Sequence, residues 1–464
     1  MWEADTLQTR RIWCERAALP TGPVAGVRIT IVDGLIERVD SQVERDDDDE
    51  FLGGFTMPGF ANAHSHAFHR ALRGRTHGGA GDFWKWREQM YDVAARLTPD
   101  NYLPLARAVF GEMLLAGYTC VGEFHYVHHA PAGESYVEPN AMGHAIIEAA
   151  RQSGIRLTLL DACYLHGGIN VGVSDQQRRY SDGSALQWIS RVEQLIEQVA
   201  AAGSPNVRVG AAIHSVRAVD PAAIAAVATF ARSKGLPLHA HVSEQLAENE
   251  QSNAAYGMSP TRLLAQNGAL TEDFTAVHAT HLGSDDVQLY AAAGCTCCLC
   301  PTTESDLGDG IGPSDQFRDA GVRMAIGSDQ HAVIDPFGEM RGIELHERLA
   351  TQRRGANKPL GLFASGTYNG YRGLGWHNGG NIESGALADL TTIGLDSVRL
   401  SGTRPADLIE SMIFSATASD VRNVIVGGVT VVAAGAHVGL DVASELRRAI
   451  GAIDDGHSRI ARQS

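Results

Sequence analysis

A chain of 464 residues and 49.5 kDa is too long for one small core, so a large barrel or sheet with a smaller attached domain is expected. Its formal charge of −16 excludes the broad basic surface that a nucleic-acid or anionic-membrane partner requires. Seven cysteines, an odd number with four crowded into 295–300, exclude a secreted disulfide framework.

The opening "MWEADTLQTRRIWCERAALP" has no apolar h-region, and the longest apolar stretch, around "AAIAAVATFA", is far shorter than a bilayer span. A cytoplasmic enzyme is the expectation. "VRITIVDGLIERVD" reads as a hairpin turning at Asp33-Gly34. The acidic run "ERDDDDE" at 44–50 reads as a solvated loop, since no glycine-spaced ligand pattern accompanies it.

From residue 55 onward, eight β-type segments end in polar residues: "FTMPGFANAHSH", "YTCVGEFHY", "IRLTLLDACYL", "VRVGAAIHSV", "LPLHAHVSE", "FTAVHATHL", "CTCCLCPT" and "VRMAIGSDQ". Amphipathic stretches such as "ALQWISRVEQLIEQVAAAG" and "DPAAIAAVATFARSKG" separate them, each closed by a glycine suited to a helix C-terminus. Eight such units predict a (β/α)8 TIM-type barrel; an open doubly wound sheet would need an early Gly-rich phosphate turn, and none is present. Cys295, Cys297, Cys298 and Cys300 alternate within one apolar run and read as a buried strand rather than a thiolate site. The Gly-rich stretch at 365–385 reads as a connection, and "LADLTTIGL" with "VRNVIVGGVTVVAAGAHVG" supplies further short strands. Both chain ends are therefore expected to build one small β-sandwich-like domain, with residues 1–55 as its first part, 56–375 as the barrel, and 376–464 as a C-terminal helix and the remainder.

Chemistry in such a barrel sits at the carboxyl ends of the strands. Residues two apart on a strand share a side, so His64 and His66 aim into one mouth. A bare His-x-His is weak evidence, but "HAHVSE" ends the fifth strand, "VHATH" the sixth and "GSD" the eighth, which converges His241, His278 and Asp329 on the pair. This pattern resembles the amidohydrolase superfamily, as does the flanking split β domain. The resemblance implies His64, His66, His241 and Asp329 as metal ligands, with His278 and Asp329 acting on the water. Mixed nitrogen and oxygen donors suit one zinc ion, with iron or manganese left open. His239 reads as a core or supporting residue one layer deeper. The fourth segment ends "IHSVR", without the lysine of binuclear members, so the resemblance implies a single metal and Glu244 as proton shuttle.

A narrower set of stretches, "NAHSHAFHRALRG", "FWKWREQMY", "LTPDNY", "AGYTCVGEFHYVHH", "AIHSVRAV", "HAHVSEQ" and "VHATHL", is similar to the formimidoylglutamate deiminase family. "FWKWREQMY" alone would be an amphipathic helix with Trp84 and Trp86 in packing. The resemblance implies Arg87 and Arg217 as partners of two substrate carboxylates, with Tyr126 and His214 as further contacts. His69 stands where that family often has Gln; it remains able to bond a carboxylate, more strongly when protonated. The implied activity is hydrolysis of N-formimino-L-glutamate to N-formyl-L-glutamate and ammonia in histidine degradation, by a homodimer whose partner is a small dicarboxylate. Alternatives are another mononuclear aminohydrolase, acting on formimino-aspartate, a purine, a pterin or a triazine, and a non-catalytic barrel, which would have lost ligands that are all present here.

Overall fold

The computed structural model describes residues 9–76 and 83–460. Four strands precede the barrel: β1 Arg10–Leu19, β2 Gly22–Val32, β3 Leu35–Asp40 and β4 Glu50–Pro58. The barrel staves are β5 Phe60–Ser65, β6 Tyr118–His125, β7 Arg156–Cys163, β8 Val207–Ile213, β9 Leu238–Val242, β10 Phe274–His278, β11 Thr296–Leu299 and β12 Arg323–Ile326, paired in parallel in that order. Apart from Arg208 and Arg323 every stave residue is buried, as parallel strands covered on both faces require. Closure comes from one short seam. Ser65 bridges Asp329, the Asp329 N–H donates to the His64 carbonyl (3.0 Å), and the His66 N–H donates to the Asp329 carbonyl (3.2 Å).

The connecting helices follow the expected pattern. Ala185–Ala202 starts on Ser184, whose hydroxyl accepts from the Gln187 N–H, and ends on left-handed Gly203; Pro221–Lys234 starts on the Asp220 carboxylate and ends on left-handed Gly235. The first predicted barrel segment, by contrast, splits at Gly59. A Cβ there would sit 2.0 Å from Thr119 Oγ1, so only glycine lets the chain pass from the small sheet into the barrel. The barrel thus begins at 60 rather than 56, and β4 belongs to the small domain.

That domain adds β13 Leu390–Ile393, β14 Val421–Val426, β15 Val429–Ala433 and β16 Ala436–His437, giving one sheet in the order β16-β15-β14-β13-β4-β1-β2-β3. The sheet is continuous through strands from both chain ends. Leu35 bridges Leu387, and the Gly428 and Ala388 N–H groups donate to the Ala388 and Gly34 carbonyls, so the β3 end meets the segment before β13 beside the cluster of Ile12, Val27, Ile29, Leu52, Leu390 and Ile425. Asp33 and Gly34, both at positive φ, make the expected hairpin turn. The acidic run is only partly solvated: Asp49 is buried and accepts from Arg28 Nη2 (2.7 Å) and from the Asp46 N–H (2.9 Å), and Glu50 opens β4. The C-terminal helix Val442–Ile460 sides with the barrel. It packs on the helix Pro99–Leu115, where Arg107 meets Glu445 at 2.8 Å, and buries Leu446, Ala449 and Ile453. Among the described residues no helix is long and apolar enough to cross a membrane.

Rather than a loose connection, the Gly-rich stretch is the barrel floor. Its helix Tyr368–Gly373 approaches β5 so closely that a Cβ on Gly370 would lie 2.8 Å from that of Ala61. Tyr371 is sealed there, sharing a 2.6 Å hydroxyl contact with Thr119 and donating to Asp389 Oδ2 (2.8 Å). Arg156 grips the same carboxylate twice, at 2.7 and 2.9 Å, and the Gly427 N–H donates to it at 2.7 Å. This buried pair joins the barrel to the small domain. Asp389→Ala strands the Arg156 guanidinium in the interior and is expected to destabilise the fold by about 3–5 kcal/mol, read as a lower urea midpoint; an unchanged midpoint contradicts the assignment.

Candidate metal centre

His64 lies next to the end of β5 and His66 just past it, His241 lies near the end of β9, His278 ends β10 and Asp329 follows β12. Their ring positions are set from behind. His66 Nδ1 donates to the Phe124 carbonyl (2.9 Å) and His241 Nδ1 to the His214 carbonyl (2.7 Å), which leaves each Nε2 with an inward lone pair. His241 Nε2 stands 3.1 Å from His64 Nε2, and Asp329 Oδ1 lies 3.3 Å from His64 Nε2 and 3.4 Å from His66 Nε2. His64 Nδ1 is buried without a partner. Burial, reinforced by the neighbouring imidazoles, holds His66 and His241 well below the ordinary imidazole pKa, in the form that binds metal. Burial opposes ionisation of Asp329, yet the imidazoles around it, His64 first, hold its carboxyl well below the usual range. Electron-rich nitrogens and oxygens converging this closely in a dry site fit a divalent cation. The four expected ligands do not form one tight group. His64, His66 and Asp329 bring donor atoms within 4.8 Å of one another, and so do His64, His241 and His278, with His64 shared.

His278 and Ala279, at the end of β10, and Asp329, in the turn after β12, all adopt left-handed backbone. His278 Nε2 lies 3.8 Å from Glu244 Oε1 and 3.9 Å from Asp329 Oδ2. Its Nδ1 lies 3.4 Å from Glu304 Oε1, which also accepts from the Cys300 N–H (2.8 Å). Although burial works against it, the surrounding carboxylates, Glu244 foremost, raise the His278 pKa well above its ordinary value. Sequence reasoning missed Glu304; its trace is an acid in the first helical turn after a barrel strand, a place where solvated acids are common.

Arg87, Tyr126, His214, Arg217 and His69 all line the same narrow pocket as His66, His241, Glu244, His278 and Asp329. Arg217 is not an open clamp, however. Its Nε donates to Glu248 Oε2 (3.0 Å), and an Nη lies 3.7 Å from Glu244 Oε2. Glu248, a second residue the sequence reading missed, is locked by the Ser243 N–H (3.0 Å). Arg87 Nε donates to the Tyr91 hydroxyl (2.7 Å). Burial pushes His69 down to about 3, so the protonated form expected to strengthen its grip is disfavoured; its Nε2 lies 3.2 Å from the Tyr126 hydroxyl. Trp86 lines the pocket, whereas the Trp84 side chain lies outside the described residues. His239 stays out of the pocket and donates to the Gly373 carbonyl (2.8 Å). The four clustered cysteines are free and buried; Cys298 and Cys300 pack with Ala63, Val277 and Ala325. Among the described residues they form no three-thiol group, though Cys300 lies near His278 and Glu304.

The amidohydrolase family model matches residues 55–431. The chain is 37% identical over 440 residues to a formimidoylglutamate deiminase from Pseudomonas aeruginosa, covering 92% of this chain and 96% of that one. It is 29% identical to a 5-methylthioadenosine/S-adenosylhomocysteine deaminase from Natronomonas pharaonis, over 82% of each chain. Among solved structures, an amidohydrolase from Brucella melitensis superposes with a TM-score of 0.88 at 32% identity, over 96% of this chain and 99% of that one.

Since protons compete weakly for the Nε2 atoms of His66 and His241, bound metal measured after dialysis is expected to be the same at about pH 7.5 and about pH 6. Loss of metal centred near the ordinary imidazole pKa contradicts this ligand environment.

Proposed function

Starting from a chain that belongs to the amidohydrolase family, we propose that it hydrolyses a C–N bond with one zinc ion held by His64, His66, His241 and Asp329, and that its substrate is N-formimino-L-glutamate. The products are N-formyl-L-glutamate and ammonia. One observation carries the substrate reading: two guanidinium groups, Arg87 and Arg217, line the narrow pocket that also holds the His/Asp cluster, and both continue into a wider outer cleft with residues 167–171. A pair of arginines matches a diacid, each able to take a carboxylate by charge-assisted hydrogen bonds. The identity to the Pseudomonas aeruginosa deiminase, spread over nearly the whole chain, supports the same reading.

Three imidazoles and a carboxylate suit zinc, and a zinc ion held by them would supply Lewis acidity that lowers the pKa of water toward about 7. Glu244 lies between His278 Nε2 and Arg217 and takes the proton released as water adds to the formimino carbon. The same carboxyl hands that proton to the imino nitrogen, then takes the second proton from the hydroxyl of the tetrahedral carbon as its C–O bond becomes a carbonyl and passes it to the same nitrogen, so that the C–N bond breaks and ammonia leaves. His278, with Nδ1 turned to Glu304, keeps a proton on Nε2 and steadies the charge that develops on the attacking oxygen. Arg217 works on both sides, steering Glu244 while facing the substrate, which explains why Glu248 fixes it from behind.

A second reading rests on the pocket walls. Trp86, Tyr91, Tyr126, Tyr164 and Tyr180 present five rings, as a site for a purine or another heteroaromatic ring does. Ammonia release from N-formimino-L-glutamate, N-formimino-L-aspartate, guanine and 5-methylthioadenosine separates the two; turnover confined to the formimino diacids is expected, and turnover confined to a ring substrate overturns the proposal. Glu244→Gln is expected to cut kcat by about 100- to 10,000-fold with metal content unchanged, and an unimpaired rate removes Glu244 from the shuttle. Arg87→Met is expected to lower kcat/KM for the diacid by about 10- to 100-fold, chiefly through KM; an unchanged kcat/KM removes that contact.

A further inference from the structure

Behind the barrel seam, outside the pocket lining, five polar side chains form a sealed chain: Asn62, Ser65, Glu123, Ser328 and His331, each 0% exposed. Asn62 Nδ2 donates to Ser328 Oγ (2.6 Å), and the Ser328 N–H donates back to Asn62 Oδ1 (3.0 Å). Ser328 Oγ lies 2.9 Å from His331 Nδ1, and His331 Nε2 lies 3.2 Å from Ser65 Oγ. At the far end Ser65 Oγ donates to Glu123 Oε2 (2.6 Å), while Glu123 Oε1 accepts from the Ala67 N–H (2.6 Å).

With Glu123 as the carboxylate, donor counting fixes the order of the chain. The Ser65 hydrogen is committed to Glu123, so its oxygen receives His331 Nε2–H; Nδ1 is then an acceptor for the Ser328 hydroxyl, whose oxygen receives the Asn62 amide. One imidazole tautomer satisfies every link. Two members span the seam: Asn62 joins β5 to Ser328 directly, and His331, in the turn after β12 two residues past Asp329, joins that turn to Ser65 at the end of β5. Its own backbone is left-handed (φ 61°), as is that of Asp329 (φ 41°), and its carbonyl accepts from Arg73 Nε (2.6 Å). Such backbone persists only where the surroundings hold it.

We infer that His331 is a positioning residue for the cation: by tying Ser65 to Ser328, beside the Asn62–Ser328 link, it holds the end of β5, where His64 and His66 flank Ser65, at a set spacing from the turn that carries Asp329, and so tightens the grip on the cation without touching it. The inference rests on the metal-centre reading and is independent of which substrate is hydrolysed. Outer partners that orient metal ligands are worth about 10- to 100-fold in affinity.

Full-length wild type, His331→Phe and His331→Gln, stripped and then titrated with Zn2+ against a chromophoric chelator, test it. His331→Phe is expected to keep one ion per chain with a Kd raised about 10- to 100-fold and faster release into excess chelator. His331→Gln, which restores a donor toward Ser65, is expected to recover most of that loss, and a general loss of stability would not be rescued this way. A folded His331→Phe protein with wild-type Kd and release rate overturns the inference. Should that variant fail to fold, Ser65→Ala and Ser328→Ala cut the same chain at its two links; weakened Zn2+ binding in both supports the role and unchanged binding in both overturns it. Wild type that binds no Zn2+ at all defeats the metal reading itself, and substrate turnover without the His331 effect defeats only this inference.

Discussion

Two backbone hydrogen bonds between β5 and Asp329 carry the molecule's central constraint, because they close the barrel and bring together three of the proposed ligands at once. The bonds are made by His64, His66 and Asp329 themselves, so the spacing of the imidazoles from the carboxylate is a property of the sheet rather than of a mobile loop. The geometry has a cost. Left-handed backbone at His278, Ala279, Asp329 and His331 costs on the order of 1–3 kcal/mol each. The sealed polar chain beside the seam and the burial of every adjoining strand offset it.

Stability and chemistry occupy opposite ends of the same barrel. At the amino ends of the strands, Tyr371 and the Arg156–Asp389 pair fasten the floor and the small domain with satisfied hydrogen bonds. At the carboxyl ends, carboxylates and imidazoles crowd together with few such partners, and their proton affinities are displaced in both directions. Separation of this kind lets the mouth hold charges that would be destabilising alone, since the floor does not share them.

The staves were legible because parallel strands buried on both faces read as uninterrupted apolar runs, and the histidines because they stand where those runs stop. Strand ends are less legible: the segment "LPLHAHVSE" runs to Glu244, but β9 stops at Val242, where Ser243 turns left-handed. Residues whose roles arise only from tertiary contact stayed hidden. Glu248, Glu304 and Glu123 look like ordinary acids of a helix or strand, and nothing local marks that they brace Arg217, His278 and the His66 turn. Asp49 is hidden for the same reason, since its partner Arg28 lies on β2 and is distant in sequence. The Gly-rich floor read as a connection because close backbone approach, not flexibility, is what selects Gly370.

Anomalous diffraction from crystals of the zinc-loaded protein tests the central claim most directly. One peak within bonding distance of His64 Nε2, His66 Nε2, His241 Nε2 and an Asp329 oxygen is the result the seam geometry predicts. A peak at the separate His125, His128 and Asp161 cluster, or a pair of cations in the mouth, contradicts it.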